Sequence, residues 1–165
     1  MTTSGNQVYN NTITGNPGVI NLVTTSGGSI TMGEYNGSTL GGSSFSMNAG
    51  GGPTATITLN GGVSSEYTTI TSVGGTFVNT GDSIYGRAGL EFFGPVNLLT
   101  NASFVTRHSG TGILVHGTLD GPAGLTETVA FNGGFGDVST FYDAVGGTTP
   151  LGFLTVSEGT SGGYI

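Results

Sequence analysis

The sequence predicts an all-β fold, a parallel β-solenoid of stacked coils, on three observations. Short runs rich in β-branched residues recur along the whole chain, glycine pairs punctuate them, and a segment of the C-terminal third is echoed further on, Gly121 reappearing as Gly147.

The runs come first. Val19-Ile20-Asn21-Leu22-Val23, Thr54-Ala55-Thr56-Ile57-Thr58-Leu59, Thr68-Thr69-Ile70-Thr71-Ser72-Val73 and Leu151-Gly152-Phe153-Leu154-Thr155-Val156 alternate apolar and polar residues, as half-buried strands do. No window carries apolar residues at helical spacing without a glycine or a β-branched run interrupting it. The 34 glycines supply the backbone conformations that sharp corners require, so about a dozen strands of about four to six residues are expected. That pattern suits a solenoid or, as the alternative, an antiparallel β-sandwich of jelly-roll type.

The repeat favours the solenoid. Gly112-Ile113-Leu114-Val115-His116-Gly117-Thr118-Leu119-Asp120-Gly121, followed by Leu125, is echoed by Val138-Ser139-Thr140-Phe141-Tyr142-Asp143-Ala144-Val145-Gly146-Gly147, followed by Leu151. The interval from Gly121 to Gly147, equal to that from Leu125 to Leu151, falls in the range of solenoid repeats. A weaker echo, Gly27-Gly28-Ser29-Ile30-Thr31-Met32-Gly33, shows the same order of glycine, strand and glycine near the start. A coil of this size cannot bury its inward apolar row alone, so it must stack on the next.

The stretch from Gly94-Pro95-Val96-Asn97-Leu98-Leu99 through Ala102-Ser103-Phe104-Val105-Thr106, Gly112 to Gly121, and Ala144-Val145-Gly146-Gly147-Thr148-Thr149-Pro150-Leu151 to Val156 resembles the repeat of filamentous-haemagglutinin-like bacterial adhesins. The resemblance covers about residues 94 to 160. It implies a right-handed parallel β-helix, exported and displayed on the cell surface. A single domain over 1–165 is expected, with divergent coils in 1–90 and adhesin-like coils in 91–165. The long repeat arrays and export domain of such adhesins are missing from the sequence, which reads as a fragment or a compact relative.

Charge narrows the partners. Arg87 and Arg107 are the only Lys or Arg residues, and nine carboxylates leave a formal charge of -7. Nucleic acid and anionic membrane surfaces need clustered cations and are therefore not expected as partners. There is no cysteine, which excludes disulfides and thiolate metal sites. No apolar run approaches the roughly 18 residues of a membrane-spanning helix. Met1 to Asn6 has neither the basic nor the apolar region of an export leader, so an exported protein would carry its leader elsewhere.

Several side chains could carry chemistry. Asp120, Glu127, Asp137 and Asp143 lie close in sequence, with His108 and His116 nearby, and a polysaccharide-cleaving β-helix would need at least two such carboxylates. Asp120 and Asp143 sit beside turn glycines, where Asp bonds backbone amides, and the turn reading is favoured. Such a lyase also needs a basic group, for which Arg87 and Arg107 are the only candidates. Gly133-Gly134-Phe135-Gly136-Asp137-Val138 is a single copy of a calcium-turn-like motif, and calcium needs stacked copies. His108 and His116 lack a third ligand at metal spacing. Thr54, Thr56 and Thr58 would match an ice lattice only if they recurred coil after coil. Tyr85, Phe92, Phe93, Phe131, Phe135, Phe141 and Tyr142 concentrate in the second half, where stacking inside the solenoid is the ordinary reading and glycan binding by exposed tyrosine the other. No catalytic, cofactor-binding or metal-ligating set emerges. The expectation is a non-enzymatic structural or adhesive protein of the bacterial cell surface, able to self-assemble end to end, with surface glycans as the other partner and a glycan-binding or polysaccharide-degrading β-helix as the alternative.

Overall fold

The computed structural model describes residues 1–15, 18–37, 42–107, 112–121, 128–133 and 137–158. His108, Glu127, Phe135 and Leu125 lie outside the described residues. Among the described residues there is no helix, and sixteen strands stack into a β-solenoid of about six turns. In chain order they are β1 (Thr2–Thr3), β2 (Gln7–Thr14), β3 (Val19–Thr24), β4 (Ile30–Asn36), β5 (Ser44–Ala49), β6 (Ile57–Leu59), β7 (Val63–Ser72) and β8 (Thr76–Val78). There follow β9 (Ser83–Phe93), β10 (Val96–Leu98), β11 (Ala102–Val105), β12 (Gly112–Val115), β13 (Leu119–Asp120), β14 (Thr128–Gly133), β15 (Ser139–Phe141) and β16 (Phe153–Glu158).

Every strand pairing is parallel, which rules out the antiparallel sandwich. The pairings trace three faces. The first carries β1, β3, β5, the second half of β7, the second half of β9, β12 and β15. The second carries the starts of β2 and β4, then β6, β8, β10 and β13, with Leu119 bridged to Val145. The third carries the ends of β2 and β4, the starts of β7 and β9, then β11, β14 and β16. Strands β2, β4, β7 and β9 are long because each turns a corner and serves two faces.

Coil length follows from the register. It is shortest where Ile57 lies beside Thr76 and longest where Tyr35 lies beside Val63. The echo in the C-terminal third is one coil: Ile113 pairs with Ser139, Val115 with Phe141 and Leu119 with Val145. The weaker echo shares only the order of its parts, because Ile30 stands on the second face and Ile113 on the first.

Alternation aims files of side chains inward on each face. Leu22, Met47, Ile70, Phe92 and Val115 stack from coil to coil on the first face, and Met32, Leu59, Val78 and Leu98 on the second. On the third, Tyr35, Val63, Ile84, Phe104 and Phe131 follow one another. All are buried, and each side chain packs on its counterparts above and below. Aromatics dominate the C-terminal coils, where Phe104 meets Phe92 edge-on at 5.3 Å, stacks on Phe131 at 4.9 Å, and Phe131 meets Phe141 edge-on at 4.9 Å. Phe92, Phe131 and Phe141 thus pack inside the solenoid, whereas Phe93 and Tyr142 face outward.

Corners use glycine and hydroxyls. Gly94 has φ 103°, and any Cβ there would overlap the Ser72 carbonyl of the coil before. The buried Ser72 hydroxyl donates to Ala55 O at 2.8 Å, a turn carbonyl that also accepts from the Gly74 amide at 3.1 Å. Two buried hydroxyls stay unbonded among the described residues, those of Ser139 and Tyr35; the Tyr35 ring stacks on Phe45 at 3.9 Å, and burial raises its pKa.

Candidate functional site

Asp120 ends β13 with only 5% of its surface exposed. Its Oδ1 accepts from the Thr148 amide at 2.9 Å and the Thr149 amide at 3.1 Å, in the next coil. Burial pushes its pKa up, but those two amides, with the Thr118 and Thr148 hydroxyls, more than offset it, and the carboxyl titrates below the usual value. The group is a fixed anion that ties a corner. Asp143 accepts from the Ala144 amide at 2.8 Å, a local turn contact. Asp137 is buried and bonded, and Gly134, Phe135 and Gly136 of its motif lie outside the described residues. Among the described residues no three His, Asp or Glu side chains gather where they could hold a metal ion.

His116 is built into a stack that spans three coils. Its ring lies between Phe93 (4.4 Å, 3° between planes) and Tyr142 (4.5 Å, 5°), and Nε2 is 2.8 Å from Glu91 Oε1. The register explains the stack: His116 follows Val115 as Phe93 follows Phe92 and Tyr142 follows Phe141, so the three rings fall in one outward column. Sequence reading named His116, Phe93 and Tyr142 separately. The unequal coils that superpose them, Phe92 to Val115 and Val115 to Phe141, become visible only in the register.

The arginines are spoken for on the third face and its corner. Arg87 Nη1 reaches Glu66 Oε2 at 3.1 Å, and the Arg107 guanidinium lies 5.8 Å from the Tyr85 ring centroid. Neither is placed beside Asp120. Threonine does not recur as a file: the outward column of the second face reads Val8, Thr31, Thr58, Phe77, Asn97, Asp120, and Thr54 and Thr56 precede β6. The recurrence that ice matching needs is absent from that column.

The site that sequence reading missed is a notch on the third face. Its outward columns read Thr12, Glu34, Gly62, Ser83, Ser103 and Asn36, Ser64, Tyr85, Val105. Gly62 and Ser64 leave the middle coil without bulk, so Glu34 and Asn36 on one side and Ser83 and Tyr85 on the other wall an open depression of about 480 Å³, with Asp82 at its rim. Glu34 is held by the Thr12 hydroxyl at 2.6 Å, and Asp82 takes a hydrogen bond from the Thr80 hydroxyl at 3.3 Å. A second depression, of about 290 Å³, continues past Ser83 and Tyr85 to Val105 and Arg107. A third opens on the opposite side, toward Asn10, Asn11 and Thr12, and shares Glu34 and Asp82 with the notch. Nothing in the residue types announced it, because Gly61-Gly62 reads as an ordinary corner.

Comparison with family models, curated proteins and solved structures finds no match to this chain.

Proposed function

We propose that this chain is a non-enzymatic structural and adhesive rod of a bacterial cell surface. One observation carries the reading: many of its polar side chains bond residues one coil away. Thr12 bonds Glu34, Asn79 bonds Asn60, Arg87 bonds Glu66, His116 bonds Glu91, and Asp120 takes the amides of Thr148 and Thr149. Each of these pairs is separated by a single turn of the solenoid, so these groups tie coil to coil. A side chain committed in this way is a poor acid, base or nucleophile, since catalysis needs a group free to exchange a proton with substrate.

Export, surface display and end-to-end association belong to the same reading. The outer edges of β2 and β16 have no strand beside them among the described residues, and an unpaired parallel edge is a template for another strand.

Two measurements test this. Beads coated with the protein are expected to adhere to host cells or matrix, and negative-stain images at high concentration are expected to show regular rods. Turnover of a polysaccharide, abolished by Glu34→Gln or Asp82→Asn, would replace the structural reading with an enzymatic one.

A further inference from the structure

We infer that the trough along the third face binds a neutral, hydroxyl-rich oligosaccharide laid along the solenoid axis; this rests on the adhesive reading and names its ligand class. The trough joins three depressions, from Asn10 and Thr12 through the Gly62 notch to Val105 and Arg107, and so crosses five strands of one face. Four strand spacings of about 4.8 Å make it about 19 Å long, enough for a chain of several sugar rings.

Its chemistry selects the ligand. All the lining strands except the edge strand β2 are inner members of a parallel sheet, so their backbone donors and acceptors are taken by neighbours, and a ligand lying over β4, β7, β9 and β11 meets side chains alone. Those side chains are short amides, hydroxyls and carboxylates, which suit a partner carrying many hydroxyls rather than an apolar one. Tyr85 supplies an aromatic ring beside the notch, with Arg107 next to it. Glu34 in the wall of the notch and Asp82 at its rim, in a chain of net charge -7, oppose a uronic acid or phosphate chain. Gly62 brings no side chain between its sheet neighbours in that column, Glu34 and Ser83, and a Cβ there would press on Asp82 Cβ and Ser83 O at 3.2 Å.

The test is calorimetric titration of the whole chain with maltohexaose, cellohexaose and chitohexaose, with oligogalacturonate as the acidic probe. At least one neutral probe is expected to bind and the acidic one to bind less tightly. Tyr85→Ala and, independently, Ser64→Tyr, which places bulk in the notch without touching the core, are each expected to weaken binding at least about tenfold. The Ser64→Tyr protein should keep the parent melting temperature. Binding of no neutral probe, tighter binding of the acidic probe, or unchanged affinity in Ser64→Tyr overturns the proposal. Bead adhesion that survives Ser64→Tyr would remove the trough and leave the adhesive rod standing, whereas a parent protein that adheres to nothing removes the rod's adhesive role as well.

Discussion

The first and last coils of the described residues face the same physical problem and meet it with opposite chemistry. Each has a described neighbour on one side only, so its inward side chains are half covered. In the first coil the inward positions over Ile30 and Met32 are Gln7 and Tyr9. Gln7 is 4% exposed, donates from Nε2 to Val23 O at 2.7 Å and to Thr3 Oγ1 at 3.2 Å, and accepts from the Tyr9 hydroxyl at 2.9 Å. In the last coil the inward groups are mainly apolar: Phe141, Leu151 and Val156 are partly buried against the core, with the unbonded Ser139 hydroxyl among them. Val145, Leu154 and Phe153 are exposed around a shallow depression lined by Val145, Pro150, Leu151 and Leu154. A polar lid draws its stability from directional bonds, while an apolar one depends on area removed from water and on the aromatic file beneath it.

That contrast can be broken. The largest effect is expected from Phe131→Ala, which removes the ring that joins Phe104 to Phe141 and should cost about 3–5 kcal/mol by denaturant unfolding. Hydrogen exchange should show the β14 to β16 coils opening well before β4 to β8, and uniform opening would mean that the file is not a local support. Gln7→Ala should cost about 1–3 kcal/mol, because it removes the amide that donates to Val23 O and leaves the Tyr9 hydroxyl only the Met1 sulfur at 3.1 Å. Its exchange signature should be confined to β1 and β2.

Asp120 sharpens the comparison, since it brings a polar tie into the mainly apolar last coil. Asp120→Asn should cost about 1–3 kcal/mol at neutral pH. The folded pKa lies below the unfolded one, so the unfolded state takes up its proton first as pH falls. The stabilisation is therefore complete above about pH 4, where the unfolded carboxyl is ionised, and is lost as pH falls through the folded value. Parent and Asp120→Asn stabilities should converge in acid, and a constant gap would show that the charge is not what the amides hold. Two tyrosines give the smallest effect with opposite signs: Tyr9→Phe should destabilise by about 0.5–1.5 kcal/mol, whereas Tyr35→Phe should be neutral or stabilising, because it removes a buried hydroxyl that has no partner.

How much of this was legible depends on the residues. The coil at 112–121 and its echo at 138–147 could be aligned by eye because the register between them is constant from Ile113 to Leu119. Earlier coils differ in length, from the short one that brings Ile57 to Thr76 to the long one that brings Tyr35 to Val63. No fixed period therefore survives in the sequence, although the stacking is continuous. A solenoid tolerates this, since extra residues bulge out at corners while the strands keep their pairing. The aromatics read as inner stacks proved so at Phe92, Phe131 and Phe141, while Phe93 and Tyr142, each the residue after an inner ring, point outward around His116. A shift of one position reverses the face, which makes such neighbours hard to assign before register is known.

The amino-acid sequence by itself determined the class of structure: β-branched alternation with glycine corners makes strands and turns, and a coil too thin to hold a core must stack. It also determined what charge disfavours, since two arginines cannot neutralise a polyanion. Which side chains meet was decided only by the tertiary structure. Glu91 finds His116, Asp120 finds the Thr148 and Thr149 amides, and Gly62 opens a notch between Glu34 and Ser83 because coil lengths, set by loops of unequal size, bring residues a whole turn apart into one column. Local propensity acts over a few neighbours along the chain and carries no information about that distance.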